Sequence, residues 1–568
     1  MTHNKRWLIP PAITRDADEA LSAFPPILRQ ILFNRGYASD AEARTFLKAE
    51  LPFDSDPFQL TGMEAAVERI QTALVQQEPI AIYGDYDVDG VTATALLVDV
   101  LTAMGADVRG YIPNRFEEGY GLNNEALATL QESGVRLVIS VDCGIRSPEE
   151  ASYARGIDLD LIITDHHHPL ETDLPQAVAV INPKQPGDAY PDKDLAGVGI
   201  AYKLAEALAL RFEALDLNLG GLLDLVALGT VADLAPLVGE NRFLVRRGLR
   251  QIRETRRQGL SSLAAVAELT LARVNATDIG FRLGPRLNAA GRLDEALAAY
   301  ELLTTRDAMQ AGALAQQLDV QNHERQRITR EIQAQAEQIA LSEDPYAYLL
   351  FAAHEDFNPG VVGLAASRLT ETYYRPAIVA HRDTETTRGS CRSIPEFHIT
   401  DALDQCAELL VRHGGHAAAA GFTVENAHLE ALVSRLKGIA KEELGGRELR
   451  PTLTADAEVQ LSEVRPELLD AIRYLEPTGY GNPDAIFVSR AVRIKGKRTV
   501  GVEGKHLKLA FEDGLGVTHD AIGFRLGNLY PELPDRVDIM FTYELNEYNG
   551  RTNFQLNLKD VKPAGVPD

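Results

Sequence analysis

Apolar and polar positions follow two regimes along this chain. From residue 78 to about 240, short apolar runs alternate with longer stretches of helical spacing. PIAIY (79–83), DVRGYIP (107–113), RLVISVD (136–142) and LDLIITD (159–165) read as strands. VTATALLVDVLTAMG (91–105), NNEALATLQESG (123–134) and VGIAYKLAEALALRF (198–212) read as helices. Uniformly apolar strands separated by helices predict a doubly wound parallel sheet. This α/β domain is expected over 76–300, after an N-terminal extension (1–75) of small helices broken by prolines.

Between Ala313 and Pro345 there is neither Gly nor Pro, and Ala, Gln, Glu and Arg recur at helical spacing. A long connecting helix is expected within 301–344; thirty helical residues span about 45 Å. AYLLFAA (347–353) and RPAIVAHR (375–382), with a helix from Gly360 onward, open a second α/β domain over 345–448. Across 449–568 the pattern shortens to AVRIKGKR, HLKLAF, THDAIGF, VDIMFTYELNEYNG and TNFQLNLKDV. Turn pairs Asp513-Gly514 and Asn549-Gly550 separate several of these runs. A small all-β barrel of the OB type is the expectation.

A chain of 568 residues is too long for one core, in line with two to four domains. Its 45% apolar and 24% charged residues are those of an ordinary globular protein. Cys143, Cys391 and Cys406 show no CxxC spacing, which excludes a disulfide framework or a cysteine zinc site and fits a reducing cytoplasm. No signal peptide or membrane-spanning run is expected. The net charge of −25 alone argues against binding nucleic acid. The charge is segregated, however. Arg490 to Lys508 holds seven Lys/Arg, Lys505 among them, against one Glu, with Arg493, Lys495 and Lys497 at strand spacing. Such a strip binds phosphates or is simply a solvated strand face.

IAIYGDYDVDG (80–90) brings Asp85, Asp87 and Asp89 straight after an apolar strand. In extended chain, residues i, i+2 and i+4 share a face, so three carboxylates there call for a cation. The D-x-D-x-D-G spacing matches half an EF-hand loop, but position twelve is Leu96 and the preceding segment is strand-like, which excludes that reading. Asp142 ends another strand, Asp165-His166-His167-His168 follows a third, and Asp233 lies in an apolar, mostly helical run. One such Asp is ordinarily a turn or helix cap. Together they place several ligands on the carboxyl edge of one parallel sheet, where ligands gather. Mixed carboxylate and imidazole donors suit Mn²⁺, and Mg²⁺ less well. The surplus of donors fits two ions sharing one Asp, the arrangement that hydrolyses phosphate esters or anhydrides.

GDYDVDG, VDCG, TDHHHP and the Asp233 segment resemble the metal motifs of the DHH phosphoesterase superfamily, and GGHAAAAGF (414–422) resembles the glycine-rich motif of its DHHA1 domain. GPRLNAAGRL (284–293), NPGVVGLAASRL (358–369), RGSCRS (388–393) and LEPTGYGNPDAIF (475–487) narrow the resemblance to the RecJ family of single-strand DNA 5′→3′ exonucleases. It covers nearly the whole chain from about residue 50. The resemblance implies an α/β multidomain protein: a parallel-sheet DHH domain, connecting helix, DHHA1-like domain and OB-type barrel. It implies that Asp87, Asp89, Asp142, His166 and Asp233, with Asp85, hold two Mn²⁺ or Mg²⁺ ions, Asp142 bridging. His167 would position the scissile phosphate or water, and Tyr83 stands where many relatives carry a His. Arg286, Asn288 and Arg292 would meet phosphates near the metals, with Arg286 counted in the catalytic set. Ser390 and Arg392 would take the 5′ end, and the His416 loop would approach the strand through its glycines or pack at a helix start. Arg493, Lys495, Lys497 and Lys505, with Tyr543, Tyr548 and Phe554, would guide single-stranded DNA. The implied activity is release of 5′-mononucleotides in repair and recombination, beside a single-strand-binding protein and a repair helicase. The competing readings are an oligoribonucleotide or cyclic-dinucleotide phosphodiesterase, a pyrophosphatase, and a non-catalytic scaffold.

Overall fold

The computed structural model describes residues 5–115, 118–119, 121–170, 174–212, 217–293, 296–548 and 551–565. The chain divides into two compact units. One comprises 45–325 with 475–483; the other comprises 1–44, 326–474 and 484–568.

The first unit is built on a five-stranded, wholly parallel sheet. Its spatial order is Val108–Tyr111, Ile80–Gly84, Leu137–Val141, Asp160–Thr164, Ala179–Ile181. Every residue of Ile80–Gly84 and Leu137–Val141 is buried, as a sheet covered on both faces requires. The order reverses between these two strands, which makes their carboxyl ends the switch point where α/β sheets bind ligands. Helix Pro148–Gly156 and strand Ala179–Ile181 complete the alternation. Beyond Ile181 the unit turns to helices; Gly197–Arg211 and Leu223–Ala232 among them, like Val88–Ala103 earlier in the chain, are buried around most of their circumference. Such helices are apolar all round because they have sheet or helix on every side.

In the second unit a five-stranded mixed sheet runs Leu410–His416, Ala419–Glu425, Thr386–Arg392, Ala377–Arg382, Leu350–His354. The GGHAAAAG segment turns within it as a hairpin, where a helix start had been one expectation. The barrel closes through five strands: Phe487–Val500, His506–Glu512, Thr518–Gly523, Arg551–Pro563, Arg536–Tyr548 and back to the first. The Asp513-Gly514 turn joins two of them; Asn549-Gly550 lies outside the described residues. Strand Arg6–Leu8 pairs in parallel with Thr452–Thr454, and the Trp7 indole Nε1 donates to Asp560 Oδ2 at 2.8 Å. Helix Ala308–Glu343 runs for 36 residues, about 54 Å of rise.

Candidate active site

The strands deliver their carboxylates to one rim. Asp85 follows strand Ile80–Gly84, and Asp87 caps helix Val88–Ala103, its Oδ1 accepting from the N–H groups of Asp89 (2.9 Å) and Gly90 (3.2 Å). Asp89 is buried, and its two oxygens accept from the N–H of Gly197 (2.6 Å) and Val198 (2.9 Å). These donors open helix Gly197–Arg211, whose amino end favours a carboxylate. Asp142 follows strand Leu137–Val141 with φ at 60°, a left-handed conformation that Asp tolerates better than most residues. Asp233 caps the carboxyl end of helix Leu223–Ala232.

Three ligand triplets lie here, the atoms of each within 4.8 Å of one another: Asp142, His166 and His167; Asp89, His166 and Asp233; Asp85, Asp87 and Asp142. Asp142 and His166 each belong to two triplets. His166 Nε2 stands 3.1 Å from Asp142 Oδ1, 3.6 Å from Asp233 Oδ2 and 3.9 Å from Asp89 Oδ2. Asp85 Oδ1, Asp142 Oδ1 and His166 Nε2 are buried without a partner of hydrogen-bond geometry among the described residues. Burial, then the mutual repulsion of the carboxylates, pushes Asp89 up to about 7 and Asp233 up to about 9, and holds Asp85 and Asp142 well above the ordinary range. Burial, then His167, pushes His166 down to about 3, so its ring is neutral and can donate a lone pair. Orphaned buried oxygens beside a neutral imidazole fit divalent cations and suit Mn²⁺.

Asp165 has a different task. Its buried carboxylate accepts from the N–H of Ile145 (2.9 Å) and His167 (3.0 Å) and pairs with His167 Nδ1 at 2.8 Å. Burial opposes both charges, yet the pairing prevails: Asp165 lies below its ordinary value and His167 above. Asp165 therefore orients the His167 ring.

Beside Asp85 and Asp87 a cavity of about 200 Å³ is lined by Tyr86, Arg115, Asn288 and Arg292. Burial, then the charges of Arg115 and Arg325, lowers Arg292 to about 10. Asn288 Oδ1 accepts from the Val88 N–H at 3.2 Å. Arg286 does not line this cavity: it pairs through Nε with Asp319 Oδ1 at 2.9 Å and donates to the Arg282 carbonyl. Arg286, expected in the catalytic set, thus ties its own helix to the long helix Ala308–Glu343. Arg115, over the Tyr86 ring at 4.9 Å, was not foreseen. Tyr83 is buried and donates to the Gly121 carbonyl at 3.0 Å.

In the second unit, Ser390 and Arg392 project from one face of their strand toward Gly363, where a Cβ would stand 2.8 Å from Ser390 Oγ and 3.2 Å from Arg392 Nη2. Gly363 lies in the first turn of helix Val362–Tyr373, so hydroxyl, guanidinium and helix amino end share one place. His416 is exposed on the hairpin. The basic strip is split by a register shift between Ile494 and Gly496. Arg493 and Lys495 both face Glu512, at 3.9 and 3.1 Å, whereas Lys497 donates to the Leu533 carbonyl and lies over Tyr530. Lys505 lines a groove with Arg525 and Tyr530. Tyr543 is buried with its ring stacked on half-exposed Phe554; the Tyr548 side chain lies outside the described residues.

Comparison with known proteins accords with this architecture. Family models match three stretches: the DHH family N-terminal domain at 79–230, the DHHA1 domain at 343–442 and the RecJ OB domain at 455–560. The single-stranded-DNA-specific exonuclease RecJ of Escherichia coli (strain K12) is 36% identical over 575 residues, covering 97% of this chain and 98% of the relative. The chain belongs to the RecJ family. The Bacillus subtilis (strain 168) RecJ is 38% identical over 541 residues, 94% of this chain and 68% of its own length. Among solved structures, RecJ from Thermus thermophilus in complex with Mn²⁺ superposes with a TM-score of 0.85 at 30% identity, covering 99% of this chain and 80% of the other. The same RecJ has also been solved with Mg²⁺, at a TM-score of 0.79 and 29% identity, covering 99% of this chain and 79% of that one. No helix among the described residues is long and apolar enough to cross a membrane.

Proposed function

We propose that this chain is a metal-dependent exonuclease specific for single-stranded DNA, working 5′→3′ and releasing 5′-mononucleotides in repair and recombination. The observation that carries the reading is the run of ligand triplets joined through Asp142 and His166 at the sheet's switch point. Asp85, Asp87, Asp89, Asp142, His166 and Asp233 would hold two Mn²⁺ or Mg²⁺ ions, which would supply an activated water and offset charge on the leaving oxygen. His167, kept protonated longer than an ordinary His by Asp165, would hold the scissile phosphate through its ring N–H. Arg115 and Arg292 would take the neighbouring phosphate, and Asn288 would keep the Asp87–Val88 turn in register.

Ser390, Arg392 and the Gly363 turn would read the terminal 5′-phosphate, which supplies direction. The barrel would bind single strand without sequence preference through its Lys/Arg residues and Phe554. A cytoplasmic setting fits three buried, unbridged cysteines. A repair helicase and a single-strand-binding protein would supply and hold the substrate strand. The readings as a dinucleotide phosphodiesterase or a scaffold are not favoured, since relatives named as exonucleases share nearly the whole chain, barrel included.

The test is digestion in Mn²⁺ of single strands labelled at either end, beside duplex and RNA. Mononucleotides leaving the 5′ end are expected. Cleavage of dinucleotides alone, or none, would refute the proposal.

A further inference from the structure

Asp233 is held from an unexpected quarter. The residue after it, Leu234, adopts φ 61°, a left-handed conformation where helix ends normally place Gly. Two bonds wind this end: Leu234 N–H to the Val231 carbonyl at 3.3 Å and Ala235 N–H to the Thr230 carbonyl at 3.2 Å. A branched apolar side chain there, 66% exposed, contributes little packing of its own. Something else must hold the turn.

The nine residues Leu475–Pro483 do so; they belong to the same compact unit as Asp233, although the chain on either side does not. The Leu237 N–H donates to the Tyr480 carbonyl at 2.7 Å. Gly481, at φ 73°, lies so close that a Cβ would stand 2.9 Å from Pro236 Cβ, and one on Gly479 would stand 2.8 Å from Leu237 Cδ1. The segment is fastened in turn by Arg242, fully buried in the helix that follows the turn. Its guanidinium donates to the carbonyls of Leu475 (2.9 Å), Glu476 (3.0 Å), Pro477 (3.0 Å) and Phe46 (2.9 Å) and lies 4.1 Å over the Phe46 ring. Asn482 Nδ2 closes the loop on the Leu475 and Pro477 carbonyls. A buried cation satisfied by four backbone carbonyls fixes the path of the segment, not merely its presence.

We propose that the Leu475–Pro483 segment is a positioning element for the metal ligand Asp233, with Gly481 and Arg242 as its key residues. It sets the Leu234–Leu237 turn, and thereby the carboxylate, so that occupancy of the metal site depends on a loop more than 200 residues away in sequence. The inference rests on reading Asp233 as a ligand.

The test titrates the metal-free full-length protein with Mn²⁺ by calorimetry, comparing wild type, Gly481→Ala, Asp233→Asn and the double variant. Gly481→Ala should weaken Mn²⁺ binding about tenfold, as loss of a group that orients a ligand does. The double variant should bind no worse than Asp233→Asn, because both act on one carboxylate. In the Gly481→Ala background, Leu234→Gly should restore part of the affinity, since Gly holds the left-handed turn unaided. With metal saturating, kcat should fall and KM for single strands should stay. If circular dichroism shows Gly481→Ala unfolded, Gly479→Ala carries the same comparison, with a smaller loss because the Leu237 side chain can give way. A folded variant with wild-type Mn²⁺ affinity, or losses that multiply in the double variant, would overturn the proposal. An unchanged affinity in Asp233→Asn would instead overturn the ligand assignment beneath it.

Discussion

Gly197 offers the sharpest test of how the metal site is built. It opens helix Gly197–Arg211, gives its N–H to Asp89 and leaves room for Asp142. A Cβ added there would stand 2.8 Å from Asp142 Cβ, 2.9 Å from its Oδ1 and 3.0 Å from its Cγ. Ordinary contacts begin near 3.4 Å, so about half an ångström must be found. The helix cannot withdraw, for it is buried along most of its length, and Asp142 is 1% exposed at the end of a central strand. The carboxylate is the part able to move, and it is the one shared by two ligand triplets. A displacement of about 1 Å in a reacting constellation costs on the order of 100-fold in rate, so half of that costs on the order of tenfold. Stability should change far less: overpacking costs about 1–3 kcal/mol, partly offset by about 1 kcal/mol of better helix propensity. Gly197→Ala should therefore fold, lose about one order of magnitude in kcat on single strands, and bind Mn²⁺ more weakly by calorimetry. Gly199→Ala is the control, since its Cβ would meet only Leu195, at 3.3 Å and beyond, and turnover should stay near wild type. Turnover within threefold of wild type in Gly197→Ala would refute the claim that this helix end sets the geometry of Asp142.

Further outcomes follow from the same site. Asp142→Ala should abolish mononucleotide release while binding of a labelled single strand, measured by anisotropy, stays within a few-fold. Arg392→Ala should raise KM for 5′-phosphorylated strands by about tenfold, the loss of one charge-assisted phosphate contact, and leave 5′-hydroxyl strands little changed. The metal-free protein should lose thermal stability between pH 7 and 9. Asp233, raised by burial to about 9, keeps in the folded state a proton that the unfolded chain has already released, so the folded form is favoured at the lower pH and that advantage, about 2 kcal/mol over this interval, disappears as pH rises through the folded value. Saturating Mn²⁺ should reverse the trend; differential scanning fluorimetry at both pH values checks it, and a metal-free protein equally stable at pH 9 would contradict the raised carboxylates.

What could be read from the sequence was whatever periodicity and residue type express together. An apolar run ending in Asp marks a covered strand and a charged rim at once, so Asp85, Asp142 and the residues after Thr164 fell into place before any coordinates. Strand Ala179–Ile181 was too short to show a period, and helix Pro148–Gly156 carries too little apolar contrast. The donors that hold Asp89 are backbone N–H groups, and a backbone donor has no side-chain signature; the one hint was a pair of glycines opening an apolar helix. Asp165 could not be told from a ligand, because a carboxylate that grips a metal and one that grips the neighbouring His read alike. The ion pair of Arg286 could not be read, because its partner, Asp319, sits on another helix. Even spacing of Arg493, Lys495 and Lys497 implied one face, and one register shift undid it.

The charge of −25 and an anionic substrate are reconciled at the site rather than over the surface. Net charge acts through a solvent that screens beyond about 10 Å. Within the cavity beside Asp85 and Asp87, distances are shorter. There burial and the charge of Asp87 hold the Asp85 carboxyl well above its ordinary range, while burial and the charges of Arg115 and Arg325 lower Arg292. Divalent ions would satisfy the carboxylates, and a phosphate would add to the contacts of the guanidinium groups. Any coupling between the two ligands would act by equal factors in either direction. An acidic chain can thus take a polyanion where part of its negative charge would face metal ions and guanidinium groups would face the phosphates.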